Sequence, residues 1–306
     1  MRDRNIFLIV LAFVVIGPFV QPQVIITEML IFGIVAVASN IMIGYTGMLS
    51  FGQAMFFGIG AYVAGLLLKA GMPLIVALPV GTLFVLVLSI AVGYFCVQRT
   101  GLYFICITFA FNQMFYFIAY SWTGLTGGED GLPGIPRPGL LLDPVAFYVF
   151  VAVVFLACLV AMKRIVDSPL GLIFQTIREN PARAAAVGYN VKLYKLTAFT
   201  IASTFTGLAG TVYAMLYGIV PIDQIHWLKS GDFIFMTLLG GTGNFFGPIM
   251  GAVGYIWMSE TFSLFWARWP LIMGIVFVVV ILYLRGGIVE LIGKVYGSIQ
   301  RAQEAP

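Results

Sequence analysis

Long apolar runs recur from one end of this chain to the other, and they restrict its possible folds more than any other feature. The stretch from Pro73 to Val97, for example, is apolar on every helical face. A helix needs about 20 such residues to cross a bilayer core, whereas a barrel strand would alternate apolar and polar residues over about ten. Only 9% of the residues are charged and the mean hydropathy is +1.04, against roughly 25% charged in soluble domains. The sequence therefore predicts an all-α, polytopic membrane helical bundle.

The apolar runs between turn signals divide the chain into about ten segments that either cross the membrane or re-enter it. The segment near 233–245 is too short to cross alone. Eight crossings therefore stay possible if two of the Gly-interrupted segments only dip into the membrane. The predicted segments are 6–20, 24–43, 51–68, 74–97, 102–120, 144–162, 196–217, 233–245, 248–264 and 270–284.

The distribution of basic residues predicts the orientation of the bundle. If the N-terminus is cytoplasmic and there are ten crossings, four of the 16 Lys and Arg residues fall outside and the other twelve inside. This agrees with the positive-inside rule, and the reverse orientation would oppose it. We therefore predict that both termini are cytoplasmic. The four external residues are Lys69, Arg137, Lys229 and Arg268.

The first long connection, about 121–143, is rich in Gly and Pro and is predicted to be external. This composition favours turns over helix. It could be an ordered external loop, or it could be a surface that meets a partner delivering a substrate.

The second long connection, about 163–195, is predicted to be cytoplasmic and has the densest charge in the chain. Ser168-Pro169 and Asn180-Pro181 each combine an N-cap residue with Pro at the first helical position, so two short helices are expected. Gly188 is placed to end the second of them. Because simple helix connections are usually two to eight residues long, this excursion predicts a docking element. A solvated loop without a partner is the alternative.

Two Gly-rich breaks interrupt apolar segments, one from Gly44 to Gln53 and one from Gly240 to Pro248. Discontinuous helices occur where backbone lines a cavity or packs inside protein, so these breaks are candidates for a passage through the membrane. Polar side chains inside apolar segments could line the same passage or form hydrogen bonds between helices, and both roles stay open. The candidate pathway residues are Asn40, Gly44, Gly47, Ser50, Gly52, Gln53, Asn112, Gln113, Gly241, Gly243 and Asn244.

The sequence offers no energy source of its own for transport. Gly293-Lys294 is followed by Val295 and lacks the Gly and Ser/Thr of a phosphate-binding loop, so an ATPase would be a separate chain. An ion-coupled carrier would place acidic residues or His near the bilayer midplane. Glu28 and Glu260 instead fall near predicted external helix ends, and His226 falls in an external loop.

An ordered series of motifs resembles the LIV-type permease family, the membrane subunits of branched-chain amino-acid ABC importers. The similarity runs from about residue 40 to 255, and the Thr-Gly-Gly and Arg-Glu-Asn elements resemble the M-type subunit. Gln53 departs from the family, which often has His there, and Leu172 stands where a basic residue is common. The matching stretches are 44–52, 58–62, 99–104, 126–128 with 131–132, 168–171, 177–180 and 188–191.

The resemblance implies a function and a set of partners. Residues 1–306 would form one transmembrane permease domain of a multi-pass protein in a bacterial or archaeal plasma (inner) membrane. That domain would move Leu, Ile or Val inward by alternating access. Its expected partners are the lipid bilayer, a second related permease, an extracytoplasmic solute-binding protein and two cytoplasmic ATPases that carry ATP and Mg. No cofactor on this chain, no enzymatic activity and no nucleic-acid partner are expected.

The resemblance also assigns the cytoplasmic connection to contact with the ATPase. A related ABC permease for urea, short amides or another amino acid is the nearest alternative, and an ion-coupled secondary carrier is a more distant one. The residues expected to couple the permease to the ATPase are Arg178, Glu179, Asn180, Pro181, Arg183 and Gly188.

Overall fold

The long apolar runs form helices that follow one another through the chain. The computed structural model describes residues 2–283 and 287. Ten main helices correspond one by one to the ten predicted segments, and three short helices lie in the connections. The main helices are α1 (Arg2–Val20), α2 (Gln23–Asn40), α3 (Gln53–Lys69), α4 (Leu74–Cys96), α5 (Leu102–Ser121), α7 (Pro144–Asp167), α10 (Val191–Tyr217), α11 (Trp227–Gly240), α12 (Gly247–Phe265) and α13 (Trp269–Tyr283). The short ones are α6 (Thr123–Thr126), α8 (Pro169–Glu179) and α9 (Pro181–Ala186).

Five of the described helices are long and apolar enough to cross a membrane. They are Gln23–Thr46, Leu74–Cys96, Leu102–Ser121, Pro144–Asp167 and Val191–Tyr217. Two shorter apolar helices are Gln53–Lys69 and Trp269–Val280. The predicted all-α polytopic bundle is confirmed, and the number of crossings and the N-in, C-in orientation stay predictions. The predicted end of the last segment at residue 284, and the motif at Gly293-Lys294, lie outside the described residues.

The centre of the bundle is built from α2, α3 and α10. α2 is buried on every face from Met29 onward, as expected for a helix that is apolar all round. Small residues allow α3 and α10 to approach closely, because a Cβ added to Gly60 or Gly210 would overlap the backbone of the facing helix. By contrast, α4 and α5 bury one face and expose large apolar side chains such as Leu83 and Phe117.

The first long connection, predicted to be external, is ordered against the end of α10. Its strand β1 (Leu132–Pro133) pairs antiparallel with strand β2 (Ile219–Val220), which follows α10. Arg137 donates a hydrogen bond from Nε to the carbonyl oxygen of Met215 at 2.8 Å. A basic side chain is favourable there because the last carbonyls of a helix have no partner within it. The first long connection is therefore an ordered loop, and both its external location and its contact with a delivering partner stay predictions.

The second long connection, predicted to be cytoplasmic, contains the two predicted short helices, α8 and α9. Asn180 caps α9 by accepting a hydrogen bond from the backbone N of Arg183 at 2.9 Å, and Gly188 has a φ of 100° beyond the helix end. Ser168 stands at the N-cap position of α8, but its hydroxyl donates to the carbonyl oxygen of Ile165 at 2.6 Å. Ser168 is therefore the N-cap residue of α8 and the helix begins at Pro169, both as predicted, but the Ser168 side chain forms no capping hydrogen bond with the helix.

Candidate functional site

The two Gly-rich breaks lie against each other although about 200 residues separate them in sequence. α2 continues as a π-helix, Ile41–Thr46, that ends at Gly47, whose φ is 71°. The side chain of Asn40 donates from Nδ2 to the carbonyl oxygen of Asn244 at 3.1 Å. A Cβ on Gly44 would lie 2.8 Å from the carbonyl oxygen of Thr242, so only glycine fits at this crossing.

Helix α8, in the second long connection, meets the same point. Arg178 donates a hydrogen bond from Nη1 to the carbonyl oxygen of Gly44, and its Cγ lies beside Gly47. Beside this contact is an open cleft of about 430 Å³. The predicted coupling residue Arg178 and the predicted pathway residue Gly44 are thus in direct contact. The cleft is lined by Gly44, Tyr45, Gln175, Arg178, Glu179, Thr242 and Gly243.

The remaining predicted coupling residues occupy α8, α9 and the turn that follows. Glu179 lies on the rim of the cleft, and Asn180 and Pro181 begin α9. Arg183 is exposed. Gly241 and Gly243 belong to the α11–α12 turn; Gly241 has a φ of 98°, and nothing lies within 4 Å of a Cβ added to Gly243.

The N-terminus of α3 lies deep in the bundle, and its free backbone N–H groups are bonded by side chains from other parts of the chain. A helix leaves its first N–H groups unpaired, so buried ones need such partners. Four side chains accept these hydrogen bonds: two belong to α5, one belongs to α11, and the fourth is Ser50, just before the helix. The N–H to oxygen distances are 3.3 Å from Phe51 to Thr108, 3.1 Å from Gly52 to Ser50, 2.9 Å from Ala54 to Ser230 and 3.0 Å from Met55 to Asn112.

The two amide side chains predicted near this point form hydrogen bonds between helices. Besides accepting from Met55, Asn112 donates from Nδ2 to the carbonyl oxygen of Ile225 at 2.7 Å. Gln53 donates to Ser203 at 3.4 Å and accepts from Thr206 at 3.1 Å, both on α10. These contacts are interhelical bonds, which is one of the two roles that the sequence left open.

A layer of small polar side chains closes the bundle beside this helix terminus. Ser39, Ser50, Gln53 and Ser230 surround a void that is too small to hold a water molecule. All four are buried, and the hydroxyl of Ser39 has no hydrogen-bond partner among the described residues. The side-chain Oε1 of Gln113 also lacks such a partner. We call Ser39, Ser50, Gln53 and Ser230 the polar layer.

Sequence reasoning missed Ser230 in this layer because it precedes the predicted segment 233–245. The helix in fact begins at Trp227, after His226, whose Nδ1 accepts from the backbone N of Leu228 at 3.4 Å. A His before an apolar run is a weak helix-start signal, since Ser, Thr, Asp and Asn dominate N-caps.

The earlier start of α11 also places three ionisable residues close together. Lys229, assigned to an external connection, lies in the first turn of α11 with Nζ 4.6 Å from the centre of the Phe32 ring of α2. Its Nζ is 3.7 Å from Oδ2 of Asp232. Glu28 of α2 interacts electrostatically with Lys229 and accepts a hydrogen bond from the Tyr217 hydroxyl at 2.8 Å.

Within the described ranges 2–283 and 287, no group of three or more His, Cys, Asp and Glu residues could hold a metal ion. The contact at Gly44, the polar layer and the cluster of Glu28, Lys229 and Asp232 are prominent polar features of the described residues.

These features define a multi-pass helical membrane protein with broken helices and polar groups in its interior. A family model described as branched-chain amino acid transport system / permease component matches residues 22–284. The chain belongs to this family of transport permeases, which confirms the resemblance seen in its motifs.

Individual relatives agree with this assignment. The high-affinity branched-chain amino acid transport system permease protein LivM of Escherichia coli K12 is 28% identical over 255 residues, or 74% of this chain and 60% of the relative. LivM of Salmonella typhimurium LT2 gives the same values. The autoinducer 2 import system permease protein LsrC of Salmonella paratyphi B is 27% identical over 207 residues, or 64% and 57% of the two chains. The chain thus spans about 60% of the length of the LivM proteins. No solved structure matches it.

Proposed function

We propose that this chain is the membrane-spanning subunit of an ATP-binding-cassette importer that carries branched-chain amino acids inward across a bacterial or archaeal inner membrane. The hydrogen bond from Arg178 to Gly44 is the observation that carries the proposal, because it joins a cytoplasmic helix to a break in a membrane helix. The family description and the printed name of the LivM relatives support the substrate class.

The outer surface of α8 and α9 suits contact with a cytoplasmic ATPase. Phe174 and Ile177 anchor α8 to the bundle, since both are fully buried. Leu172 on α8 and Val187 at the end of α9 are 64% and 74% exposed. We infer that these two apolar side chains belong to the surface that contacts the ATPase. A separate ATPase chain, with its ATP and Mg, would cover them.

The direction of coupling follows from these contacts. A displacement of α8 by the ATPase would move Arg178, and Arg178 would move the carbonyl of Gly44 at the end of the π-helix. Packed interfaces switch between discrete arrangements instead of deforming smoothly. We therefore propose that α8 shifts the first Gly-rich break relative to the α11–α12 turn. This shift would open the polar layer toward the cytoplasm.

The other proposed subunits complete the cycle. A second related permease would supply the opposite wall of the passage, and an extracytoplasmic solute-binding protein would deliver the amino acid to the external side. Closure of the ATPases can shift the equilibrium between outward and inward states only by binding one state more tightly.

The test is uptake by the complete complex in proteoliposomes. The complex contains this chain, its permease partner, the ATPases and the binding protein. We expect uptake of labelled leucine that requires ATP, with no uptake of labelled urea. Uptake of urea but not leucine would overturn the substrate assignment. Leucine uptake driven by an ion gradient through this chain alone would overturn the ATP-driven mechanism.

The LsrC relatives favour one further candidate substrate class. Their printed name assigns them to import of autoinducer 2, which is not an amino acid. The same proteoliposomes therefore include a competition arm with autoinducer 2. Loss of leucine uptake in its presence would favour that class.

A further inference from the structure

We propose that Glu28, Lys229 and Asp232 bind the charged head group of a zwitterionic amino acid, the carboxylates holding its ammonium group and Lys229 holding its carboxylate. This inference rests on the proposed function, which it extends to a binding site on the permease chain itself. We call these three residues the head-group site.

The three side chains converge from two helices. Lys229 and Asp232 lie one turn apart on α11, and Glu28 lies on α2 one turn before Phe32, whose ring centre is 4.6 Å from the Lys229 ammonium. The separation of 3.7 Å between Lys229 and Asp232 is longer than a direct hydrogen bond. The ammonium group therefore keeps donors that a ligand carboxylate can use.

The charged side chains of the head-group site lie inside the bundle, at a level where lipid and not bulk water would surround an exposed side chain. Phe32 lies near the middle of the 24-residue span Gln23–Thr46, so the Lys229 ammonium is level with the interior of that span. Yet the side chains of Lys229 and Asp232 are 20% and 34% exposed. Lipid does not solvate such groups, and ionisable residues at this depth face a water-filled cavity or another protein surface. In an importer subunit, the passage is such a cavity.

The balance of charge points to a ligand with its own positive group. Two carboxylates face one ammonium in the head-group site, and Glu260 adds a further negative charge that acts on Glu28. If Lys229 and Asp232 formed only a structural ion pair, that pair would need neither the Glu28 carboxylate nor partial exposure of its side chains. An amino acid zwitterion supplies one positive and one negative group to this set. An uncharged solute such as urea would leave one of the two carboxylates without a positive partner.

Neighbouring polar groups extend the site. The Tyr217 hydroxyl donates to Glu28, and Asp232 interacts with the Tyr255 hydroxyl. Gln224 is 8% exposed, and its amide nitrogen donates to the Tyr213 hydroxyl at 3.2 Å. Its Oε1 has no partner among the described residues. Because buried polar atoms are normally paired, this oxygen is an available acceptor next to the tyrosines that surround Glu28.

The first test measures binding of labelled leucine to the complete nucleotide-free complex in nanodiscs without the binding protein. Two competitors separate the head-group charges: isoamylamine lacks the carboxylate, and 4-methylpentanoate lacks the ammonium. We expect Lys229→Gln to weaken leucine binding at least about tenfold and to abolish the preference for leucine over isoamylamine. Glu28→Gln should instead abolish the preference over 4-methylpentanoate.

Lys69→Gln is the matched control. Lys69 is an exposed lysine at the end of α3, and it donates to the carbonyl oxygen of Pro133 at 3.2 Å. The Lys69→Gln variant should leave the affinities for leucine, isoamylamine and 4-methylpentanoate unchanged. If Lys229→Gln and Glu28→Gln weaken all three ligands equally, or none, the head-group site is overturned.

A charge exchange separates ligand binding from a structural ion pair. The double variant Lys229→Asp with Asp232→Lys keeps an ion pair on α11 but moves the positive group by one turn. We expect leucine affinity to remain at least about tenfold weakened. Restoration of wild-type affinity would show that the pair only stabilises the fold.

The head-group site and the proposed function fail separately. A wild-type complex that imports leucine with ATP but binds none in the nanodisc assay overturns the site alone. A complex that imports no leucine overturns the proposed function.

Discussion

The two Gly-rich breaks have similar composition but are held in different ways. Around the first, side chains from α5, α8 and α11 bond the backbone at Gly44, Phe51, Ala54 and Met55. The second, between α11 and α12, receives one bond from Asn40, and Gly243 within it has open space around it. The first break is therefore held by hydrogen bonds from other helices, and we call it the joint. The second break is a turn that packs against the joint. Glycine is required at residue 44 because the Thr242 backbone approaches it closely, whereas residue 243 in the turn has room for a side chain.

Arg178→Ala should have the largest effect, because it removes the bond between α8 and the joint. We expect ATP-driven leucine uptake in proteoliposomes to fall more than about tenfold, since a charge-assisted hydrogen bond contributes about 1.5–3 kcal/mol. ATP hydrolysis should continue, so the ratio of leucine imported to ATP hydrolysed is the measurement.

Thr176→Ala is the control for this variant on the same helix. The Thr176 hydroxyl is exposed and donates within α8 to the carbonyl oxygen of Leu172 at 2.9 Å. It should keep the wild-type ratio. Normal coupling in the Arg178 variant would remove Arg178 from the transmission path.

Gly44→Ala and Gly243→Ala test the difference between joint and turn most directly. The added methyl group at residue 44 would overlap the Asn40 side chain and lie 2.8 Å from the carbonyl oxygen of Thr242. Overpacking of this kind is expected to lower the free energy of unfolding by about 1–3 kcal/mol. At residue 243 the methyl group meets nothing within 4 Å. Thermal unfolding in detergent should show a clear drop for the first variant only; equal drops would mean that both breaks are tightly packed.

The Gly-rich joint and the helix α9 could be predicted from the sequence, but the partners of the joint could not. The Gly runs, the Asn180 cap and the end of α9 before Gly188 are local signals, and the structure has a helix break and a helix at these places. The bonds from Ser230 and Asn112 to the start of α3 connect residues 176 and 57 positions apart. No local periodicity encodes such pairings, because they depend on how helices pack.

The same limit explains why sequence reasoning did not find the head-group site. The sequence places Lys229 in an external connection, and Asp232 directly precedes the predicted segment 233–245. Packing of Lys229 on Phe32 extends the helix through them. Tertiary contact thus overrides a compositional signal.

Asn112→Ala should have the next largest effect on the joint. It leaves the backbone N of Met55 and the carbonyl oxygen of Ile225 without their side-chain partner in a fully buried position. Each unsatisfied buried group costs about 1–3 kcal/mol, although local relaxation reduces the sum. Gln113→Ala is the control, because the neighbouring Gln113 is only half-buried and its Oε1 has no partner among the described residues. Comparable losses of thermal stability would contradict the interhelical role of Asn112.

Asn40→Ala should have the smallest measurable effect, because it removes the one side-chain bond from α2 to the second break. The lost hydrogen bond to the carbonyl oxygen of Asn244 is expected to lower the free energy of unfolding by about 0.5–1.5 kcal/mol. Asn244→Ala keeps that carbonyl and removes only the weak hydrogen bond that the Asn244 side chain accepts from the backbone N of Phe246 at 3.4 Å. The thermal stability of this variant should therefore be closer to that of the wild type. If Asn244→Ala proves the more damaging of the two in thermal unfolding, the turn is held by its own side chain. The contrast between a bonded joint and a resting turn would then be wrong.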